Sequence, residues 1–285
     1  MVYKKVIALL LVVAMLLTTI AAAEPTTFSQ FSPIIVGGFL LGGWNDKSWL
    51  SEDEAFSLIN DKELYKIYYD GHYTGSRAGV KVSRQWEHGA AYGSEVELLP
   101  DDAFEVSAES HNAEFVMISS NRNIGIRDVL KLSNENAIYA QIVDEYVASL
   151  GYPGLNLDIV DLYRVDIDGD GVFEVLISAN NYHNTSDQEH IGSVLFMRRV
   201  NERDQIVEVV EIAEWFYPFD EFIEGNKYGP IDNRYNIVGF YDLNCDGKLE
   251  IIIEFITNRS NHFVVFELQG NELVEVLSNG NYFWD

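Results

Sequence analysis

Cysteine is almost absent from this 285-residue chain: Cys245 stands alone, so no disulfide can form within it. Basic residues are scarce as well. There are 19 against 45 acids, a formal charge of −26. A field of that sign repels nucleic acid and anionic lipid and favours bound cations. The usual catalytic signatures are missing: no Gly-x-Ser-x-Gly elbow, no glycine-rich phosphate loop and no His-Glu-x-x-His. The six histidines, His72, His88, His111, His183, His190 and His262, are scattered, with no pair at zinc-ligand spacing.

Long apolar runs are confined to the start. Lys4 and Lys5 precede the run Val6 to Ile20, and Ala21-Ala22-Ala23 follows, which predicts a signal peptide over 1–23 with Glu24 as the first mature residue. No cysteine follows the run, which excludes a lipid anchor there. An uncleaved membrane anchor is the alternative, since about 18 residues sit at the short edge of a bilayer span. Once cleaved, the chain has no membrane span and carries 17 − 45 = −28. The expected location is extracellular, secreted or at the cell surface. With 47% hydrophobic and 13% aromatic residues, the mature chain can build a proper core.

The pattern then reads as mainly β. Residues 24–33 are polar and read as a linker, and 34–128 as an N-terminal β-rich domain. Its strand candidates are Ile34 to Gly43 (broken by paired glycines), Tyr65 to Tyr69, Gly79 to Trp86, Ser94 to Leu99, Phe104 to Ala108 and Glu114 to Ser119. Ser51-Glu52-Asp53-Glu54 predicts a helix start with a short helix to Leu58. Residues 129–153 read as helix and connector. In 134–150, Ile138, Ile142, Val143, Tyr146 and Val147 recur at helical spacing, and Gly151-Tyr152-Pro153 stops the run. The aromatic groups Trp44 with Trp49, and Trp86 with Tyr92, could stack on sugar rings, but packing is the favoured role.

Residues 154–285 hold an internal repeat. Leu162 to Ile177 and Val238 to Ile253 align, each a strand, an acidic turn and a second strand. Two further strand-like runs follow each copy: Ser193 to Val200 and Ile206 to Ile212, then Phe263 to Leu268 and Leu273 to Leu277. The expected unit is a small antiparallel meander with an Asp-rich loop in its first hairpin.

The loops carry the chemistry. Calcium takes six to eight oxygens at about 2.3–2.6 Å. Loop one offers Asp166, Asp168 and Asp170 at positions one, three and five, a turn at Gly171, the carbonyl of Val172 at seven and Glu174 at nine. Loop two offers Asp242, Asn244, Asp246, Gly247, the carbonyl of Lys248, and Glu250. Phe173 and Leu249, apolar at position eight, are expected to anchor the loops in the core. Carboxylates held about 4–5 Å apart repel by roughly 3–4 kcal/mol at an effective dielectric near 20, a penalty that a divalent ion removes. An EF-hand is excluded, because position twelve is Ile177 or Ile253 and the flanks are β-type. A solvated Asp-Gly hairpin is the metal-free alternative.

These loops resemble those of the FG-GAP/VCBS family, whose blades carry Asp-x-Asp-x-Asp-Gly-x-x-Asp calcium loops. Glu174 and Glu250 stand in the place of the last Asp. The resemblance covers the C-terminal half and implies extracellular, calcium-stabilised folding, often for adhesion or scaffolding. It does not imply catalysis. Two loops fall short of the four blades of a closed propeller, so two blade-like units are expected instead. The reading is a non-enzymatic calcium protein with two ions, acting on an extracellular protein or glycan. The alternatives are a secreted hydrolase with structural calcium, or an envelope protein without metal.

Overall fold

The computed structural model describes residues 31–83, 90–91, 94–99, 115–125, 127–182, 190–200, 207–218, 233–257 and 260–283. The leader, residues 24–30 of the linker, Trp86, His88, Tyr92, residues 104–108, His111, His183 and Ile206 lie outside this set. No described helix is long and apolar enough to cross a membrane. Among the described residues the chain is mainly β, its sheets antiparallel, with two helices and no full propeller.

The first part closes on itself. Its elements are β1 (Ser32–Val36), β2 (Phe39–Trp44), β3 (Trp49–Leu50), α1 (Glu52–Leu58), β4 (Glu63–Tyr69), β5 (His72–Ser83), β6 (Ala90–Ala91), β7 (Ser94–Leu98) and β8 (Phe115–Ser119). The strand order β1-β8-β4-β5-β7-β2, with β2 paired back to β1, makes a six-stranded barrel. Gly37 and Gly38, both at positive φ, turn the chain between β1 and β2. Ser32 and Pro33 belong to β1 and Phe31 is buried, so the polar stretch ends earlier than residue 33. Helix α1 starts as its sequence predicts: the Ser51 N–H donates to Glu54 Oε2 at 2.9 Å and the Glu54 N–H to Ser51 Oγ at 3.5 Å. Alternation assigns the faces. Ile35, Tyr65 and Met117 fill the interior with Ala55 of α1, whereas Ile34, Val36 and Ile118 point the other way.

Two meanders follow. β9 (Leu130–Lys131) and α2 (Ala137–Ser149) lead into the first blade, β10 (Asp158–Val165), β11 (Glu174–Asn180), β12 (His190–Val200) and β13 (Val207–Pro218). The second blade is β14 (Arg234–Tyr241), β15 (Glu250–Thr257), β16 (Ser260–Gln269) and β17 (Glu272–Phe283), with β6 along its edge. The repeat extends to irregularities: each fourth strand carries one extra residue, Ile212 opposite Leu195–Phe196 and Val276 opposite Val265–Phe266.

Layering explains why these strands read as continuous apolar runs. Ile251 and Ile253 pack between the blades with Val165, Leu176 and Met197, while Ile252 packs on the barrel with Ile34, Val116 and Ile118. On its far side the first blade meets α2 through Val143, Val147, Ile177 and Phe196. The order is thus helix, blade, blade, barrel. The barrel and α2 cover the two outer blade faces that a closed propeller covers with further blades. Phe31–Asp285 forms one unit, and the cores run across residues 128–129 and 153–154 without a break.

Helix α2 is capped by Asn136, whose Oδ1 accepts the Ile138 N–H at 3.1 Å. Ile138 itself is 70% exposed and does not share the buried face, which in that turn is occupied by the neighbouring Tyr139. Tyr146 stacks on Phe196 with ring centroids 4.2 Å apart. Phe196→Ala is expected to cost about 3–5 kcal/mol, the range for a buried aromatic truncation, read as a lower urea midpoint in equilibrium unfolding.

Candidate metal centres

Both acidic loops connect the first two strands of a blade in the same register. Val165 pairs with Glu174, and Tyr241 with Glu250. Position two, not eight, is the consistent anchor: Ile167 and Leu243 are buried. Position eight splits. Leu249 is buried as expected, but Phe173 is 41% exposed and lies under the Arg164 guanidinium, 4.4 Å from its centroid. The difference follows from position. Leu249 faces the neighbouring loop, and its N–H donates to Ile167 O at 2.8 Å.

The internal hydrogen bonds repeat almost bond for bond. Glu174 Oε2 accepts the Ile167 N–H at 2.9 Å, and Glu250 Oε2 the Leu243 N–H at 2.7 Å. Asp166 Oδ2 accepts from Gly171 and Asp242 Oδ2 from Gly247, both at 3.2 Å. Asp168 and Asn244 accept from the amides of Asp170 and Asp246, which accept in turn from Val172 and Lys248. Gly171 and Gly247 turn the chain at φ 87 and 89, and Gly169 and Cys245 precede them at φ 78 and 62. The Cys245 thiol is exposed, next to Arg122 and the Asn123 carbonyl.

Loop one converges its acids. One oxygen each from Asp166, Asp168 and Glu174 lie within 4.8 Å of one another. Ligands on opposite sides of one calcium stand about 4.6–5.2 Å apart, twice the metal–oxygen distance, so the trio fits one coordination sphere. Asp170 is exposed at the rim. Burial pushes the Glu174 carboxyl up to about 7 against the pull of the Ile167 N–H, with the charges of Asp168 and Asp170 adding to the rise.

Loop two buries its acids more deeply. Glu250 is fully buried and Asp242 nearly so, and Glu250 Oε1 and Asp242 Oδ1 accept no hydrogen bond from the protein. A buried carboxylate oxygen without a donor is costly unless it meets a cation. Burial pushes Glu250 up to about 8, opposed by the Leu243 N–H and reinforced by Asp246, Asp242 and Glu267. It raises Asp242 too, against the Gly247 N–H. Asn244 donates to Glu267 Oε1 at 3.1 Å, and Trp49 Nε1 reaches Glu267 Oε2 at 3.4 Å, tying the loop to the barrel. Trp49 packs on Trp44, centroids 4.9 Å apart, both half-buried against the core.

Comparison with family models, curated proteins and solved structures finds no match.

Residues 122–125 and Arg127, for which the sequence predicts no element, contact the two loops. Gly125 bridges Asp242, whose N–H donates to Gly125 O at 3.4 Å. Arg127 donates to the carbonyls of Asp166 (2.8 Å) and Ile167 (3.2 Å) and, through its other nitrogen, to that of Gly247. Its guanidinium is 3.8 Å from Asp166, and Arg199 stands 3.8 Å from Asp168. Arginine is scarce in this acidic chain. That scarcity beside unassigned sequence was the available signal.

A cleft of about 610 Å³ opens where β4–β5, β10 and β14 meet. Among the described residues, the barrel interior is filled by the apolar cluster around Ile35, Tyr65 and Met117. Two of the junction cleft's three acids are held by its own walls. Asp161 accepts from Lys131 and the Ile237 N–H, both at 3.1 Å, and Glu254 from Asn236 at 3.0 Å and Asn261 at 2.9 Å.

Proposed function

We propose that this chain is an exported, non-enzymatic surface module that binds two calcium ions, one in each acidic loop, and presents its blades to an extracellular protein or glycan. The observation that carries the calcium reading is the pair of buried, donor-less oxygens on Glu250 and Asp242, set in a loop whose hydrogen bonds repeat those of the converging trio in loop one. All the donors are oxygens, the preference of a hard cation; one is an asparagine and none is histidine or cysteine. Asp166, Asp168, Glu174 and the Val172 carbonyl would hold one ion. Asp242, Asn244, Glu250 and the Lys248 carbonyl would hold the other, with Asp170 and Asp246 shaping the turns. The ions neutralise acids that otherwise repel one another across the blade edge.

Thermal melts in EDTA and in calcium test this. Each site adds about 2.7 kcal/mol at a hundredfold excess over its dissociation constant. That is a rise of roughly 5–10 °C per site for a chain of this size. Equal melting temperatures in EDTA and millimolar calcium would remove the proposal.

A further inference from the structure

We infer that the two loops take up their cations as a cooperative pair, coupled by the Ile167–Leu249 contact and by Arg127 as a positioning residue. The inference rests on the calcium reading and goes beyond it, because two independent sites would satisfy that reading equally well.

The coupling path is short and made of backbone. Glu174, a ligand of loop one, accepts the Ile167 N–H at 2.9 Å. The carbonyl of the same residue accepts the Leu249 N–H at 2.8 Å. The peptide that carries this N–H also carries the Lys248 carbonyl, the position-seven ligand of loop two, and a planar trans peptide holds the two groups pointing in opposite directions. Ordering Glu174 therefore orders Ile167, and through it the plane of a ligand in the other loop. Two hydrogen bonds connect the sites.

Arg127 adds a second route. One nitrogen of its planar fork holds the Asp166 and Ile167 carbonyls and the other the Gly247 carbonyl. Gly247 in turn donates its N–H to Asp242 Oδ2. Position one of loop one and position one of loop two are thus linked through a single side chain. The guanidinium packs closely on Gly169, where an added Cβ would stand 2.8 Å from the Arg127 Cζ and the backbone is at φ 78. A first ion that orders one loop reduces the ordering cost at the second, which makes the coupling positive. Charge acts the other way: each bound cation weakens the negative field that attracts the next. The direct backbone contact makes shared ordering the larger effect.

Calorimetric titration of calcium into the metal-free protein, four single variants and one double variant decides it. The wild type should take two equivalents with a Hill coefficient clearly above unity. E174Q removes a charged ligand of loop one only, and should weaken the remaining equivalent in loop two about tenfold, within the usual range of coupling between sites. E250Q should do the same to loop one. R127A and R127K remove one of the two routes and should lower the Hill coefficient, and E174Q added to R127A should then weaken loop two less than E174Q does alone; an unchanged Hill coefficient in both would remove Arg127 from the coupling. Two non-cooperative sites in the wild type, or full-strength binding in loop two of E174Q, would overturn the coupling and leave the calcium reading standing. No binding heat in any protein would end both. Should the Arg127 variants fail to fold, the reciprocal E174Q and E250Q titrations still decide the question.

Discussion

Glu250→Gln is expected to raise the melting temperature of the metal-free protein and to remove most of its response to calcium. Glu250 is fully buried, and burial together with Asp246, Asp242 and Glu267 holds its carboxyl up at about 8. At pH 7 without metal, folding must therefore take a proton that the unfolded carboxyl, near 4.3, has released. Glutamine needs none. It keeps an oxygen for the Leu243 N–H and puts an amide donor where Glu250 has an unpartnered oxygen. The expected gain in EDTA is on the order of 1–3 kcal/mol. In calcium the sign reverses, because the neutral amide is a poorer ligand and the stabilisation of about 2.7 kcal/mol at that site is lost. Scanning calorimetry of both proteins in EDTA and in calcium reads the two effects separately. A variant that melts lower than wild type in EDTA and keeps the full calcium response would show that Glu250 is an ordinary structural acid.

The same groups predict opposite pH dependences with and without metal. Glu174 at about 7 and Glu250 at about 8 lie above the unfolded value near 4.3, so the native state holds protons that the unfolded state releases. Their contribution is complete below pH 4.3 or so, and is lost as pH rises through 7 and 8. In EDTA the protein should lose stability between pH 5 and 8, by roughly 3 kcal/mol for each group at most. In saturating calcium both carboxyls must be ionised to serve as ligands, so protons compete with the ion and stability should rise over the same window. Urea titrations at several pH values give both curves. Their difference cancels the many acids that never meet the metal. Parallel curves would mean that the loops hold no ion.

Local chemistry was enough to specify the two acidic loops and the strands around them. Asp166 to Glu174 and Asp242 to Glu250 were legible because an acidic turn is a local object: alternate oxygens, one glycine at positive φ and apolar strands on either side all lie within a dozen residues. The capping box at Ser51, the helix ending at Ser149 and most strands were legible for the same reason, since period and turn chemistry act between near neighbours. Tertiary structure alone decided the rest. Closure of the barrel depends on β1 meeting both β2 and β8, and no local pattern says which strand receives an edge. Phe173 and Leu249 occupy the same place in their repeats, yet only Leu249 is buried, because only it faces another loop. Arg127 lies some 40 residues from loop one and 120 from loop two, and it acquires a role only when the fold brings their carbonyls to its guanidinium. Periodicity reports that a residue faces something, but packing alone chooses what.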